Sequence, residues 1–408
     1  MKTGSAPLSG GSAKGALTSL TSGRERTSLR ARGVRVHRPV SAQSARRSAT
    51  CEDPGVNFGS DNQSGASAQV LDAVVRAYDG QADPYGLDDL SAAATDALRE
   101  TFETDLEAFF VASGTAANSL ALSAMVDPWD GVICHHQAHI LLDESSGPAL
   151  FTGGAGLLPV PGRQLRLTAE DLKSMLGRLP GDPPHNIRAR VLSITQASEC
   201  GQVYSVAEIE QLTEVARAAG LRVHMDGARF ANAVAATGST PADLTWRAGV
   251  DVLCLGATKN GGLLAEAIVF FDTDLAVDFD YRMKRSGHLA SKGRLFGAQF
   301  AAWLKDDHWL ELAHTANAHA TALRAGIEAL ASPQVRLAFP CQSNETFVVL
   351  NRALFVELEQ AGAVLYEWYP DAVPPEAEIA DDELLARLVT SFATTAAEIE
   401  AFLDRCRS

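Results

Sequence analysis

Two residues in this chain stand where chemistry could be done. The run Asp251-Val-Leu-Cys-Leu-Gly-Ala-Thr-Lys259-Asn-Gly is apolar and stops in a small-residue turn that carries one lysine. Upstream, Val223-His-Met-Asp226-Gly-Ala-Arg229 is a shorter apolar run that ends on an aspartate. Two buried strands would deliver Lys259 and Asp226 at their C-terminal ends, where open α/β sheets place their ligands. An amine and a carboxylate aimed at one crevice suit pyridoxal 5′-phosphate. The amine forms a Schiff base with the aldehyde, and the carboxylate partners the pyridinium nitrogen. A buried carboxylate needs a cationic partner. Asp226 could instead cap a helix or pair with Arg229, but its place on the sheet edge shared with Lys259 favours the ring nitrogen.

Further candidates are weaker one at a time. Ser113-Gly114-Thr115 follows a predicted strand and opens a predicted helix, so its N–H groups and hydroxyls suit a phosphate; the same residues are also an ordinary helix start with Ser113 as N-cap. His139 ends His135-His-Gln-Ala-His139, where an imidazole could stack on a cofactor ring. His135 and His136 read as surface-loop histidines. Arg229 and Arg387 are candidate carboxylate clamps, because a guanidinium matches a carboxylate in bidentate fashion. Arg387 opens Arg-Leu-Val-Thr-Ser-Phe, an edge-like strand, and by its local sequence alone reads as a surface charge.

The elements that must position these residues alternate. The spacing predicts helices over 68–78, 88–106 and 206–219, and helical structure over 294–331. Strands are predicted at 107–112, 131–134, 191–195, 221–225, 250–255 and 267–271. That alternation argues for a mostly parallel sheet covered by helices on both faces, an α/β fold. Strands around 345–350 and 363–368, with helices at 353–361 and near 395–405, predict a smaller C-terminal α+β domain. The expected division is 1–55 as a basic extension, 56–300 as the large cofactor-binding domain, and 301–408 as a linking helix with the small domain.

Composition bounds the rest. With 408 residues, 46% of them hydrophobic, the chain can bury a large core. The net charge of −15 speaks against a nucleic-acid surface. The first fifty residues run the other way, with ten Lys and Arg against a single acid, Glu25. Rich in Arg, Ser and Gly, this segment is expected to be disordered in isolation, and it fits either an organelle transit peptide or a non-functional extension. No run reaches the ~20 apolar residues of a membrane helix. Six cysteines, none in C-x-x-C spacing, imply neither a disulfide framework nor a metal knuckle, and no metal is expected. They point to a reducing compartment, with Cys254 as a small buried apolar residue.

Taken together, several segments resemble those of the low-specificity L-threonine aldolases, a family within fold-type-I pyridoxal-phosphate enzymes. They are Ser60-Asp-Asn-Gln-Ser-Gly, Tyr85-Gly-Leu-Asp88, Ser113-Gly-Thr-Ala-Ala-Asn-Ser-Leu-Ala-Leu, Gln137-Ala-His139, Thr195-Gln-Ala-Ser-Glu-Cys-Gly-Gln-Val-Tyr204, His224-Met-Asp-Gly-Ala-Arg229 and Gly256-Ala-Thr-Lys-Asn-Gly261. The resemblance runs from about Phe58 to about Phe402 and looks nearest to the bacterial branch that also cleaves phenylserine. It implies a seven-stranded type of sheet and a homotetramer, a dimer of dimers with shared active sites. It also implies roles: Lys259 as the Schiff-base lysine, Asp226 as the pyridinium partner, His139 as the ring-stacking residue, and Ser113, Gly114 and Thr115 as the phosphate cradle. Ser60, Arg229 and Arg387 would hold the substrate carboxylate, and Tyr85 would approach a neighbouring subunit's site. A basic stretch that helps a neighbour bind phosphate would fall within 282–294. One departure stands out. Many members carry Asn-Thr-His where this chain has Thr195-Gln-Ala-Ser, so a hydroxyl-handling histidine there would be vacant or moved.

The implied reaction is retro-aldol cleavage of L-threonine, L-allo-threonine or phenylserine to glycine and an aldehyde, in the cytoplasm or, if the first fifty residues are a transit peptide, in a plastid or mitochondrion. The base is open between His139 and a bound water. The Asp–Lys pair alone also suits a β-eliminating lyase or an aminotransferase, and a catalytically altered cofactor-binding homologue is a third reading.

Overall fold

The computed structural model describes residues 55–160, 166–369, 374 and 379–407. The predicted basic extension lies outside them except for its last residue. The larger sheet has seven strands: β1 (Glu107–Val111), β2 (Asp130–His135), β3 (Gly156–Val160), β4 (Arg188–Thr195), β5 (Arg222–Gly227), β6 (Val252–Gly256) and β7 (Glu266–Phe270). Their order is β1-β7-β6-β5-β4-β2-β3. β7 runs antiparallel to both neighbours, and β6, β5, β4, β2 and β3 pair in parallel. β2, β6 and β7 are buried along their whole lengths, as expected of a sheet with helices on both faces. One face packs residues such as Leu192, Val223, Leu253 and Trp303; the other packs the helix Gly114–Met125 through Ala117, Leu120 and Ala121.

Parallel pairing sets the register that matters. Thr195 lies opposite Asp226, and Asp226 opposite Cys254, so the C-terminal ends of β4, β5 and β6 form one rim. Two glycines let the chain turn there. A Cβ on Gly227 would meet the Cys254 carbonyl oxygen at 2.8 Å, and one on Gly256 would meet the Ala228 carbonyl oxygen at 2.8 Å. Only glycine permits backbones this close.

The predicted second unit is a four-stranded antiparallel sheet of order β10-β11-β9-β8, made of β8 (Val335–Leu337), β9 (Glu345–Asn351), β10 (Tyr366–Glu367) and β11 (Glu383–Val389). Its core includes Val348, Leu350, Leu354, Ala386 and Phe402. Val56 and Phe58 join this core, and the Phe58 N–H donates to the Val364 carbonyl at 2.8 Å. The start of the described chain is thus stitched to the second sheet.

Three boundaries differ from expectation. The helix predicted to reach 106 is Asp89–Phe102; Glu103 adopts φ 55 and closes it, and apolar Leu106 is buried in the connection to β1. The predicted stretch 294–331 is two helices, Arg294–Leu304 and His308–Leu330, broken where Asp306 and Asp307 take positive φ. β11 is not an edge: it pairs over seven residues with β9 and on its other side with the two-residue β10. No described helix is long and apolar enough to cross a membrane.

Candidate active site

Beyond the rim of β4, β5 and β6 opens a cavity of about 300 Å³. Of the residues singled out from sequence, Lys259, Asp226, His139, Ser113, Gly114, Thr115 and Arg229 line it. Ser60, Arg387 and Tyr85 do not.

Lys259 sits in a single turn, Thr258–Asn260, just past β6. Its amine has no hydrogen bond or ion pair within the described residues. Desolvation, helped by the Arg229 charge, lowers its pKa against the pull of Asp61, Asp226 and Glu345. A neutral amine is the nucleophilic form. Asp226 is held at both oxygens: one accepts from the Ala228 N–H at 3.0 Å, the other from Asn118 Nδ2 at 2.8 Å. Asn118 Nδ2 also donates to Glu144 Oε1 at 2.8 Å, and that oxygen meets His139 Nδ1 at 2.9 Å. A continuous chain therefore links Asp226 to the His139 ring. The hydrogen bond to Glu144 is the main reason the His139 pKa is raised.

Opposite lies the start of the helix Gly114–Met125, where the Ser113 side chain accepts from the Ala116 N–H at 3.3 Å. The N–H groups of Gly114 and Thr115 have no partner among the described residues, as first-turn donors lack one within a helix. An anion placed there gains from both donors and the helix dipole.

The arginines are placed differently. Arg229 spends its fork on Asp61, Nε to Oδ2 at 2.7 Å and Nη2 to Oδ1 at 3.0 Å, and its Nη1 lies 3.4 Å from Glu345 Oε1. Burial alone would raise the Asp61 pKa, but the Arg229 charge, then Lys259 and the hydrogen bonds from Arg229 and Asn344, hold it at about 2. The alternative that paired Arg229 with Asp226 gives way to Asp61. Arg387 is not the surface charge its local sequence suggested: its side chain is 14% exposed, lies with its guanidinium carbon 4.2 Å from the Trp368 ring centre, and reaches Glu345 at 3.6 Å. Its Nε is buried without a hydrogen-bond partner. Glu345 therefore bridges the two arginines from β9, completely buried.

Ser60 caps the turn Asp61–Gln63, one residue from the Asp61 that holds Arg229, while Asn62 reaches the cavity. Tyr85 lines a separate cavity of about 290 Å³ with Asp280, Met283 and His288, and Lys284 from the predicted basic stretch lies 4.9 Å from its ring centre. The reading of His135 and His136 as surface histidines is corrected. His135 ends β2 and is buried, His136 is half-buried, and their rings lie 4.3 Å apart.

Five acids at the site were not singled out. Asp61 and Glu199 lie inside segments already noted, Ser60–Gly65 and Thr195–Tyr204, but nothing local marks them. Glu144 lies five residues past His139, just beyond the short helix His139–Leu142. Glu266 and Glu345 carry no sequence signal at all. Burial pushes Glu199 up to about 6 and Glu266 up to about 7, and it raises Glu144 and Glu345 as well.

A family model described as beta-eliminating lyase matches residues 57–352. The chain is 41% identical over 314 residues to a low specificity L-threonine aldolase of Pseudomonas sp. (strain NCIMB 10558), covering 77% of this chain and 90% of that protein. It is 42% identical over 309 residues to the protein of the same name from Pseudomonas aeruginosa, covering 76% and 88%. Among solved structures, a Leishmania major threonine aldolase superposes with a TM-score of 0.79 at 29% identity, covering 86% of this chain and 98% of that one. A Sphingomonas wittichii serine palmitoyltransferase, at 18% identity and a TM-score of 0.62, shares the fold. The chain belongs to the beta-eliminating lyase family, alongside the low-specificity L-threonine aldolases. It is a lyase, and its cofactor is pyridoxal phosphate. The site suits that group: an unpaired amine for the aldehyde, a fixed carboxylate for the ring nitrogen, and two unpartnered N–H groups for the phosphate.

Proposed function

We propose that this chain cleaves L-threonine, L-allo-threonine and related β-hydroxy-α-amino acids such as phenylserine between Cα and Cβ, releasing glycine and an aldehyde. One observation carries the reading: an unpaired, desolvated Lys259 amine and a doubly held Asp226 face one cavity across from the free N–H groups of Gly114 and Thr115. Pyridoxal phosphate bound by Lys259, Asp226, His139 and the Ser113–Thr115 turn would supply the electron sink for the pair left at Cα. The protein's own side chains do the rest. Asp226, fixed by Asn118, keeps a negative charge where a ring cation needs one. Arg387 makes one long ion pair among the described residues and leaves its Nε without a hydrogen bond, so, although outside the cavity lining, it is less committed than Arg229 and is assigned the substrate carboxylate, which orients the Cα–Cβ bond. Arg229 supports it by holding Asp61 and Glu345, with Ser60 at the start of the same turn.

The proposed division at about residue 300 sets Lys259 and Asp226 on the larger unit and Arg387 on the smaller. The proposed assembly is a homotetramer with shared sites. In its favour, Tyr85, Leu87, Val277 and Tyr281 are exposed, and Lys292 and Arg294 approach the ring of exposed Tyr78. Sedimentation of a fully active monomer would refute it. A reducing compartment is proposed from the free, buried state of all five described cysteines; the cytoplasm is the simplest, and import of a reporter fused to the first 55 residues would move the assignment to an organelle.

The family name keeps a second reaction in view, β-elimination. Incubating the holoenzyme with L-threonine separates the two. Glycine plus acetaldehyde is the expected result; 2-oxobutanoate would transfer the assignment to elimination.

A further inference from the structure

Glu199 is an acid in the cavity whose carboxylate is not fully used. Its Oε1 accepts from the His139 backbone N–H at 2.9 Å and from the Thr195 hydroxyl at 2.9 Å. The backbone N–H of Glu199 itself is a third donor to the carboxylate; no other group among the described residues bonds Oε2, and the residue lines the cavity. Glu144 and Glu345, by contrast, have orphaned oxygens that are fully enclosed. The two bonds to Oε1 fix the carboxylate plane, so Oε2 has a set direction. The position is set by the sheet as well: Thr195, its hydroxyl partner, ends β4 directly opposite Asp226 on β5, and Lys259 follows β6.

We propose that Glu199 is the acid–base residue for the substrate's β-hydroxyl, its Oε2 taking the hydroxyl proton as the Cα–Cβ bond breaks. The inference rests on the aldolase reading above and names the base which that reading lacks. In the step, Oε2 bonds the proton, the O–H electron pair becomes the second bond of the aldehyde carbonyl, and the Cα–Cβ pair stays with Cα. A proton then joins Cα, giving glycine, and Glu199 returns its own to water. Burial brings the Glu199 pKa to about 6, close to where a general base works well at neutral pH. His139 is tied through Nδ1 to Glu144, and through Asn118 to Asp226, which suits it to the cofactor ring rather than to the substrate hydroxyl. The titratable groups facing Glu199 are His139, Asp226 on β5, Cys134 on β2, the adjacent Cys200, and Tyr204.

The test is Glu199→Gln in the full-length holoenzyme. Glutamine keeps an oxygen for His139 and Thr195 but cannot accept the proton. Three readouts are expected. Cleavage of L-threonine falls roughly 10²–10³-fold in kcat, with KM within about threefold. Exchange of the glycine α-proton with D2O, which needs Lys259 but no hydroxyl, stays within about threefold of wild type. A carboxyl group protonating near pH 6 in the infrared titration of the wild-type protein disappears. Glu199→Asp, which keeps a carboxylate, regains part of the cleavage rate and serves if the glutamine variant does not fold. Wild-type cleavage in Glu199→Gln, a parallel loss of glycine exchange, or an unchanged infrared titration would each overturn the proposal. A wild-type protein that exchanges glycine but cleaves no β-hydroxy amino acid would instead overturn the aldolase reading, and this assignment with it.

Discussion

The two ends of the site are built on opposite plans. At the cofactor end the groups have spare capacity: among the described residues the Lys259 amine is unpaired and the Gly114 and Thr115 N–H groups are free, and Glu199 lines the cavity. At the arginine end opposite charges are paired, tightly between Arg229 and Asp61 and more loosely around Glu345. Two arginines, Arg229 and Arg387, are interleaved with two acids, Asp61 and Glu345, and all four are largely buried. The first end can receive a ligand without breaking anything. The second can receive a carboxylate only by loosening a pair, because a closed set of opposite charges attracts no further anion. The cofactor end should therefore govern chemistry, and the arginine end should govern stability and substrate affinity.

Lys259→Ala tests the first half with the largest effect. Because Lys259 has no ion pair to lose among the described residues, the variant should fold normally, keep its melting temperature within a few degrees, and lose roughly 10⁴-fold or more of turnover together with the visible absorbance of the lysine-linked cofactor. A variant that retains both would break the assignment of that end.

Asp61→Asn addresses the other half. Removing one partner of a buried pair leaves Arg229 with an uncompensated charge, and about 3–5 kcal/mol of stability should go. The pH dependence fixes the cause. The folded pKa of Asp61, about 2, lies below its ordinary 3.8, so its contribution is present above about pH 3.8 and is lost as pH falls towards 2. The stability gap between wild type and variant, followed by urea denaturation, should be constant from pH 6 to about pH 4 and shrink below that. A gap that does not narrow in acid would mean that packing, not charge, is what Asp61 supplies.

The same contrast explains what could be read from sequence. At the cofactor end the groups first singled out are announced by their own neighbours: apolar runs stop at Asp226 and at Lys259, and a strand stops at Ser113-Gly114-Thr115. Strand periodicity is local, and parallel pairing then brings those stops to one rim. The arginine end is assembled from positions 61, 229, 345 and 387, which no local pattern connects. Arg387 looked like a surface charge because its strand looked like an edge; the full-length pairing of β11 with β9 and the cover of Trp368 decide otherwise. Leu106 was drawn into a helix by its spacing, although a left-handed Glu103 had already ended it. Glu199 was passed over for another reason. Its segment was noted for the histidine it lacks, and a glutamate declares its use only when burial and a partly occupied carboxylate can be seen.

Glu345→Gln gives the smallest and most discriminating effect. Burial raises the Glu345 pKa, while Arg229 and Arg387 oppose that rise. When ionised, the Glu345 carboxylate competes with any incoming substrate carboxylate for Arg387. Glutamine is close in shape, so the backbone of β9 should hold, but it returns positive charge to the arginine pair. KM for L-threonine should then fall about 3–10-fold, a change of about 0.7–1.4 kcal/mol, with kcat within about twofold. If KM rises instead, Glu345 positions Arg387 rather than competing for its ligand, and the arginine end must be regarded as a preformed clamp, no more closed than the cofactor end it faces.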